Sequence, residues 1–304
     1  SDQTQDDVRD PTPDQCSVVG SFGCTLTNTS DCTGGAFGHT AMNIVVCVKY
    51  VPDATADRQF ESDNTVDRVG VDGLLSELDE YAVEQALQIK EKRDGEEVTV
   101  TALCVGPDKA LDAVRKALQM GADKGVHVND EAIAGSDAAA TSLVLAKAVE
   151  KIGPVDLVVC GMASTDAAMS VVPAMLAERL GLPQVTLAAV VESQGDQVRE
   201  KRDGDNATEV IGGTMPLVLS VTDQSGEARY PSFKGIMAAK KKPMETLTLS
   251  DLGVDAGQVG LQVAWSVVED TAARPPRTAG EIVHDEDGSG ATALVGYLAS
   301  KKFI

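Results

Sequence analysis

Short apolar runs alternate with helical periods along the first half of the chain. The runs that predict buried strands are Ile44–Val48, Val98–Cys104, Gly125–Val128 and Leu157–Cys160. The segments with apolar residues at i, i+3 and i+4, which predict helices, are Glu80–Lys92, Pro107–Met120 and Asp137–Ile152. Strands that are almost entirely apolar and are separated by helices indicate a parallel sheet covered on both faces.

Three residues predict where these helices begin and end. Pro107 suits a first helical turn, because the N–H that proline lacks would have no partner there. Gly121 suits the position just after a helix, where a left-handed residue is common. Ser136 precedes Asp137 and suits an N-cap.

The pattern changes after Pro183, where turn signals at Gly195-Asp196 and Gly204-Asp205 separate short β-like runs. These runs are Val185–Val191, Gln197–Lys201, Glu209–Ile211 and Leu217–Val221. Closely spaced strands with turn residues between them predict antiparallel pairing. We therefore expect an antiparallel excursion on the same domain.

The two ends of the chain differ from this central part. Residues 1–41 are polar without a hydrophobic period, so burial cannot offset their conformational entropy, and we predict a disordered leader. Residues 42–255 form one α/β domain. Residues 256–304 contain Arg274-Pro275-Pro276-Arg277 and little helical period before a short helix over Ala291–Ser300. We predict an extended arm that packs on another chain.

These patterns together predict an α/β fold class. The fold is a doubly wound, mostly parallel, Rossmann-like sheet with an antiparallel excursion and a C-terminal arm. Ligands of such sheets collect at the carboxyl ends of the strands. Three segments leave these ends: Lys49–Asp53, Val105–Pro107 and Gly161–Ser170.

The segment Gly161–Ser170 is the most informative of the three. It is small and polar and leads into an apolar helix predicted over Met169–Leu180, whose first N–H groups could hold a phosphate. Ser164, Thr165 and Asp166 are equally good capping residues for a helix that binds nothing. The residues alone leave both interpretations open.

The charge of the chain limits its partners. It has 47 Asp and Glu against 26 Lys and Arg, a net charge of −21, so phosphate backbones are repelled and no nucleic-acid partner is expected. No apolar run reaches the roughly eighteen residues of a membrane span, and the first residues lack a secretory pattern. We expect a cytoplasmic protein without a membrane span.

The cysteines and histidines predict no metal site. Three of the six cysteines lie in the leader, and the others, Cys47, Cys104 and Cys160, lie in or at the end of apolar runs as small hydrophobic residues. The spacing of the leader cysteines does not match a zinc pattern, and the histidines are scattered.

Residues Gly226–Lys242 form a basic strip in this acidic chain, with Arg229, Lys234 and three consecutive lysines. Tyr230-Pro231 predicts extended backbone, and Gly235 predicts a flexible joint before a helical run over Ile236–Lys242. Phe233 would lie on a projecting loop as an interaction anchor, with Arg229 and Lys234 as charges at its rim. The alternative is a solvated basic turn whose Phe233 packs into its own domain.

Three stretches carry a family resemblance: Glu227–Pro231, Gly235–Lys242 and Leu252–Val254. They resemble the signature of the beta subunit of electron transfer flavoproteins, and the resemblance runs from Met42 to Ile304. It implies an adenine-nucleotide-binding α/β fold, a heterodimer with an alpha subunit, an FAD shared with that subunit and a structural AMP in this chain. The chain would be an electron carrier without a catalytic site of its own.

The resemblance also assigns roles to individual residues. The basic strip matches a recognition loop that anchors flavin-dependent dehydrogenases, and Asp203 matches an acidic residue that can pair with an arginine of the alpha subunit. The residues implied in partner binding are Arg229, Tyr230, Pro231, Phe233, Lys234 and Asp203. The residues implied in cofactor binding are Cys47, Ser76, Glu77, Leu78, Asp79, Val105, Gly161, Met162, Ala163, Ser164, Thr165, Asp166, Ala167, Ala168, Met169, Ser170, Val171 and Val172.

Within the cofactor set, the family pattern is followed only in part. Ser76–Asp79 matches the segment that faces the flavin ring, with Leu78 as an apolar lid. Asp166 matches the acidic residue that opens the phosphate loop, whereas Ala167, Ala168 and Val171 depart from the family pattern. Backbone contacts to a phosphate remain possible at these positions.

Two alternative functions stay open at this point. An electron-bifurcating relative would bind a second FAD in place of AMP on the same fold. A stand-alone adenine-nucleotide sensor would share the α/β core, but it gives no reason for the basic strip or the arm. The chain contains no Walker motif, no Gly-x-Ser-x-Gly elbow and no Gly-x-Gly-x-x-Gly after the first strand, so nothing favours a hydrolase.

Overall fold

A computed structural model of the protein describes residues 41–55, 58–272, 275, 280, 282–285 and 288–304. The strands are β1 (Ala41–Cys47), β2 (Tyr50–Pro52), β3 (Gly73–Leu75), β4 (Glu97–Val105), β5 (Lys124–Val128), β6 (Leu157–Gly161), β7 (Gln184–Ala188), β8 (Val190–Gln194), β9 (Gln197–Asp203), β10 (Thr208–Thr214), β11 (Leu217–Val221) and β12 (Met244–Leu247). The α-helices are α1 (Glu77–Glu91), α2 (Leu111–Met120), α3 (Ala138–Ile152), α4 (Val172–Leu180), α5 (Phe233–Ala239), α6 (Leu249–Leu252) and α7 (Gly290–Ser300).

Seven strands form one sheet in the order β12-β5-β4-β1-β6-β11-β7, and every pairing in it is parallel. On one face, residues of α1 and α2 such as Val83 and Val114 pack against the sheet. On the other face, Val144 of α3, Leu176 of α4 and Leu249 of α6 do the same. The predicted α/β fold class is confirmed, with a core on each side of the sheet.

The prediction for the strands after Pro183 was partly wrong. Leu217–Val221 is β11, a central strand of the parallel sheet, and β7 pairs with it in parallel. Only β8, β9 and β10 form an antiparallel sheet. All five residues of β11 are buried, as expected of a strand covered on both faces, and the local pattern does not encode which strand it joins.

Three predicted helix starts also need correction. Pro107 precedes a short 3-10 turn, and α2 begins at Leu111 rather than at Pro107. Asp137, rather than Ser136, caps α3, because its Oδ1 accepts a bond from the N–H of Ala140 at 2.9 Å. Ser136 instead accepts from the N–H of Gly260 at 2.8 Å, so its hydroxyl fastens the start of the arm. Helix α4 begins at Val172 rather than Met169. Gly121 is confirmed as the residue that ends α2, with a φ of 148°.

The predicted leader lies outside the described residues except for Ala41, which begins β1. Part of the arm lies along the main body: Leu261 donates to the carbonyl of Ala134, and the side chain of Asn64 donates to the carbonyls of Val268 and Glu269. The terminal helix is confirmed as α7.

No helix in the described part of the chain is long and apolar enough to cross a bilayer.

Candidate functional site

The carboxyl ends of β1 and β6 lie where the strand order of the sheet reverses. From β1, the sheet continues through β4 and β5 on one side and through β6 and β11 on the other. Ligands of open α/β sheets bind in the crevice at such a point. The segments that follow these two strand ends are Val48-Lys49, before β2, and Met162–Val171, before α4, and we call the place between them the crevice.

Asp166 is the centre of an ion-pair cluster between these two segments. Its side chain is almost completely buried, and Nζ of Lys49 donates to its Oδ1 at 2.9 Å. Arg68 donates to Oδ2, and Lys49 also reaches Oγ of Ser164 at 3.3 Å. Burial alone would raise the pKa of Asp166, but the charges of Lys49 and Arg68 hold it well below its usual range. Asp166 is therefore ionised at neutral pH.

More positive than negative side chains contact this loop. Arg58 donates to the carbonyl oxygens of Thr165 and Asp166, so it joins Lys49 and Arg68 as a third cation. Lys49 and Arg68 bind the carboxylate of Asp166, whereas Arg58 binds only backbone carbonyl oxygens of the loop. Oγ1 of Thr165 is buried and has no hydrogen-bond partner among the described residues. The loop thus combines excess positive charge with an unused hydroxyl, a set of groups that suits an anionic ligand.

The backbone of the loop is held in an unusual conformation. Ala168 and Ser170 have φ values of 51° and 57°, a region that costs energy for residues other than glycine. The N–H of Ala168 donates to the carbonyl of Ser164 at 2.9 Å, which closes a tight turn. Residues 167–170 are exposed, and α4 begins two residues later. This conformation leaves the loop backbone accessible beside the start of a helix.

Asp79 closes the base of the crevice. Its Oδ2 accepts from the N–H of Lys49 at 2.8 Å, and its carboxylate also accepts from the N–H of Gly161. A Cβ atom at position 161 would lie 2.8 Å from the carbonyl oxygen of Leu78, so only glycine fits there. Burial raises the pKa of Asp79 to about 7, despite these hydrogen bonds and the charge of Lys49.

Ser76 connects the start of α1 to both strand ends. Its N–H donates to the carbonyl of Lys49 at 2.9 Å, and its Oγ accepts from the N–H of Thr165 at 3.4 Å. The side chain of Glu77 is exposed, and that of Leu78 is partly exposed. Residues 76–79 therefore form one wall of the crevice.

The structure brings most of the predicted cofactor residues together here. Cys47 ends β1, Ser76–Asp79 lies at the start of α1, Gly161 ends β6, Met162–Val172 leads into α4, and Val105 ends the neighbouring strand β4. The thiols of Cys47 and Cys160 form a hydrogen bond, and this bond together with burial raises the pKa of Cys160.

The sequence did not reveal three cationic residues of the site. Lys49 was recognised only as part of a segment at a strand end, and Arg58 and Arg68 were not singled out. Both arginines lie in a polar stretch before β3 that has no hydrophobic period. Their contacts to Thr165 and Asp166 span about a hundred positions of sequence, and no local pattern could indicate them.

Asp203 lies in a second cleft, of about 200 Å³, on the β11 side of the same loop. Its Oδ1 accepts from the hydroxyl of Thr208 at 2.7 Å. The cleft is lined by Met162, Leu187, Asp203, Thr222, Asp223 and Gln224, among others. The position of Asp203 is therefore near both the loop after β6 and the start of the basic strip.

The basic strip has a different shape from the prediction. Helix α5 begins at Phe233, with the Ser232 hydroxyl accepting from the N–H of Gly235 at 3.0 Å. Gly235 is thus a helical residue rather than a flexible joint, and a Cβ atom there would lie 2.6 Å from the carbonyl oxygen of Gln119. Tyr230 and Phe233 are 93% and 81% exposed, so Phe233 does not pack into its own domain.

Arg229 is not the free rim charge that the sequence suggested. Its Nε donates to Oε2 of Glu84 at 2.7 Å, and its Nη2 donates to Oε2 of Glu91 at 3.0 Å. These hydrogen bonds, first to Glu91 and then to Glu84, raise the pKa of Arg229. Lys234, by contrast, is exposed on α5.

The described residues include no group of three or more His, Cys, Asp or Glu side chains that could hold a metal ion.

Comparison with known proteins identifies relatives of this chain. The family model described as "Electron transfer flavoprotein domain" matches residues 63–252. The "Electron transfer flavoprotein subunit beta" of Mycobacterium tuberculosis is 46% identical over 265 residues, which cover 86% of this chain and 99% of the relative. Proteins of the same name from Thermoanaerobacterium thermosaccharolyticum and Megasphaera elsdenii are 37% and 31% identical, over 86% and 81% of this chain and 100% and 93% of their own lengths.

Proposed function

This chain belongs to the electron transfer flavoprotein family as a beta subunit, and on that premise we propose its role in a cytoplasmic heterodimer. With its alpha subunit it holds FAD, accepts electrons from flavin-dependent dehydrogenases and passes them to a downstream oxidoreductase. It has no catalytic site of its own and contributes binding, orientation and enclosure.

The crevice between β1 and β6 is proposed to bind AMP. The observation that carries this proposal is the set of three cations, Lys49, Arg58 and Arg68, that contact the loop carrying Asp166 in a chain of net charge −21. The unpartnered Oγ1 of Thr165 and the exposed backbone at 167–170 add donors that suit a phosphate. In this proposal the cationic side chains supply the phosphate contacts that Ala167, Ala168 and Val171 cannot make.

The wall at Ser76–Asp79 is proposed to face the FAD. Bound FAD supplies the ability to accept and release one or two electrons. The partly exposed side chain of Leu78 excludes water from one side of the flavin, while the contacts of Ser76 and Asp79 with the strand ends keep that wall rigid.

Two surfaces are proposed to bind proteins. The exposed rings of Tyr230 and Phe233, with Lys234, bind the dehydrogenase, and Asp203 pairs with an arginine of the alpha subunit. Helix α7 has no buried residue and exposes Leu294, Val295 and Tyr297 among others, which supports an arm that packs on the alpha subunit. An apolar helix of this kind is stable when a partner covers it.

Analysis of bound nucleotides in the co-expressed heterodimer tests the cofactor assignment. Acid release followed by chromatography should give one FAD and one AMP per heterodimer. Lys49→Met should remove AMP and retain FAD, whereas Lys147→Met, at an exposed lysine paired with Glu150, should retain both. Two FAD without AMP would favour the bifurcating alternative. An apo chain that binds free AMP without an alpha subunit and carries no flavin after co-expression would favour the sensor.

A further inference from the structure

The basic strip is fastened to the protein at both ends. At its start, Arg229 is paired with Glu84 and Glu91 of α1. At its end, Nζ of Lys242 donates to the carbonyls of Leu118 and Ala122 at 2.9 and 2.6 Å, beside the end of α2. The exposed rings of the strip lie between these two attachments.

Glu84 is the most fully engaged residue of the first attachment. It is 5% exposed, and it accepts from the backbone N–H of Arg229 at 3.1 Å and from the guanidinium Nε and Nη2 at 2.7 and 3.0 Å. Burial would raise the pKa of Glu84, but the hydrogen bonds from Arg229 lower it. Three donors from one residue fix both the backbone and the side chain of Arg229, one position before Tyr230.

The same helix contacts the residue just before the strip. Nε2 of Gln85 donates to the carbonyl of Ser225 at 2.7 Å. Helix α1 begins at Glu77, beside the crevice, so Glu84 lies about 10 Å along a rigid rod from that wall. One helix therefore holds the start of the basic strip at a fixed place relative to the Ser76–Asp79 wall.

We propose that Glu84 and Arg229 are positioning residues for dehydrogenase docking: they fix the backbone from which Tyr230 and Phe233 project, and they do not touch the dehydrogenase. This inference rests on the docking role proposed above for the basic strip. It reassigns Arg229 from the contact surface to the support beneath it. A guanidinium held by two carboxylates has few donors left for a partner protein.

Hydrogen exchange and steady-state kinetics of the co-expressed heterodimer test this proposal. Glu84→Gln removes the negative charge of the carboxylate. Arg229→Lys keeps the positive charge but loses the planar guanidinium, whose several N–H groups bind both carboxylates. Either variant should raise exchange of the Arg229 amide, which is the hydrogen-bonded N–H of residues 226–232, by about tenfold or more, with exchange in α1 and flavin content unchanged. With a purified flavin-dependent dehydrogenase that reduces the wild-type heterodimer as the probe, KM for the heterodimer should rise about tenfold while kcat stays within about twofold.

The matched control is Glu80→Gln, which removes the same charge from the same helix, where Glu80 pairs with Lys116 rather than with the strip. It should change neither exchange in 226–232 nor KM. If Glu84→Gln and Arg229→Lys increase exchange throughout α1 as much as in the strip, the pair is a general structural contact and the proposal is wrong.

Phe233→Ala separates failure of this inference from failure of the docking role. If Phe233→Ala raises KM but the Glu84 and Arg229 variants do not, the strip docks without needing this support, and positioning is refuted. If Phe233→Ala has no effect on KM either, the docking role itself is refuted. Chemical reduction of the flavin by dithionite should be equal in all variants.

Discussion

Gly161 lies so close to Asp79 that a Cβ atom at position 161 would stand 2.6 Å from Oδ1 of that carboxylate. The last residue of β6 and the first turn of α1 are therefore in direct contact at the base of the crevice. Any side chain at position 161 must move the helix start, the carboxylate or the strand end.

Gly161→Ala should lower the stability of the protein by about 1–3 kcal/mol, the usual cost of overpacking a close contact. It should also lower the AMP content of the heterodimer, because the loop after Gly161 would be displaced. Urea denaturation and nucleotide analysis measure the two effects. Gly296→Ala is the control, because nothing lies within 4 Å of that position in α7. If Gly161→Ala and wild type were equally stable, the atoms around position 161 would have moved aside without a measurable cost in free energy.

Asp79→Asn should change how stability depends on pH. Burial raises the pKa of Asp79 from 3.8 to about 7, so between about pH 4 and pH 7 the folded state binds a proton that the unfolded state has lost. The contribution of Asp79 to the free energy of unfolding is therefore greatest below pH 4 and is lost as pH rises through 7. Three pKa units correspond to about 4 kcal/mol, and asparagine does not titrate.

Denaturation at pH 5, 6, 7 and 8 measures this difference. The free energy of unfolding of the variant, relative to wild type, should increase by about 2–4 kcal/mol across that range. Asp94→Asn, at an exposed position, should give a curve parallel to wild type. Parallel curves for Asp79→Asn as well would mean that Asp79 is ionised throughout.

Glu200→Met should stabilise the protein at pH 8. Glu200 is 1% exposed on β9, opposite Val191 and Ile211, and neither of its carboxylate oxygens has a hydrogen-bond partner among the described residues. Burial raises its pKa to about 7, against the charge of Arg202. Its destabilising effect therefore grows as pH rises through 7, and removing an unpaired buried carboxylate should gain about 1–3 kcal/mol at pH 8 and less at pH 5.

Thermal and urea denaturation at pH 5 and pH 8 test the Glu200 prediction. Glu192→Met, at an exposed position on the neighbouring strand β8, is the matched control and should change stability little at either pH. A loss of stability at pH 8 in Glu200→Met would indicate that the carboxylate has a partner in the assembled protein.

Phe233→Ala should weaken binding of a dehydrogenase by about thirtyfold, or about 2 kcal/mol, because it removes an exposed aromatic anchor. Flavin content and melting temperature should not change. Lys234→Ala should instead lower the association rate and its dependence on salt. Rates of electron transfer from the dehydrogenase, measured with the melting temperature, check both variants. An unchanged transfer rate with a melting temperature lower by several degrees would refute the anchor.

Sequence analysis located most clearly the strands that are buried on both faces, and it also located β7, β9 and β10 from short β-like runs between turn signals. Val45 and Val158 lie within continuous apolar runs, because the strands of a parallel sheet are covered by helices on either side. The edge strand Met244–Leu247 was not predicted, since three of its four residues are exposed and it lacks an apolar run. Neither was the antiparallel pair of β2 and β3, whose strands have three residues each.

Residues of the site were predictable to the extent that the family pattern covers them. Asp166 was recognised, but its partners were not, because Lys49 and Arg68 are 117 and 98 positions away from it. The position of Arg229 near an aromatic residue suggested a contact surface. Its actual partners, Glu84 and Glu91, lie on α1, and a salt bridge across about 140 residues leaves no local signature.

The place of β11 between β6 and β7 has a consequence for synthesis on the ribosome. Strand β7 ends at residue 188, but its neighbour in the sheet, β11, begins at residue 217. Until β11 emerges, β7 has no native partner, and the open edge of β6 is exposed to wrong pairing. The far edge is completed later still, by β12. The nascent chain must therefore keep an incomplete sheet from aggregating until β12 has been translated, which makes slow, chaperone-assisted folding the expected route.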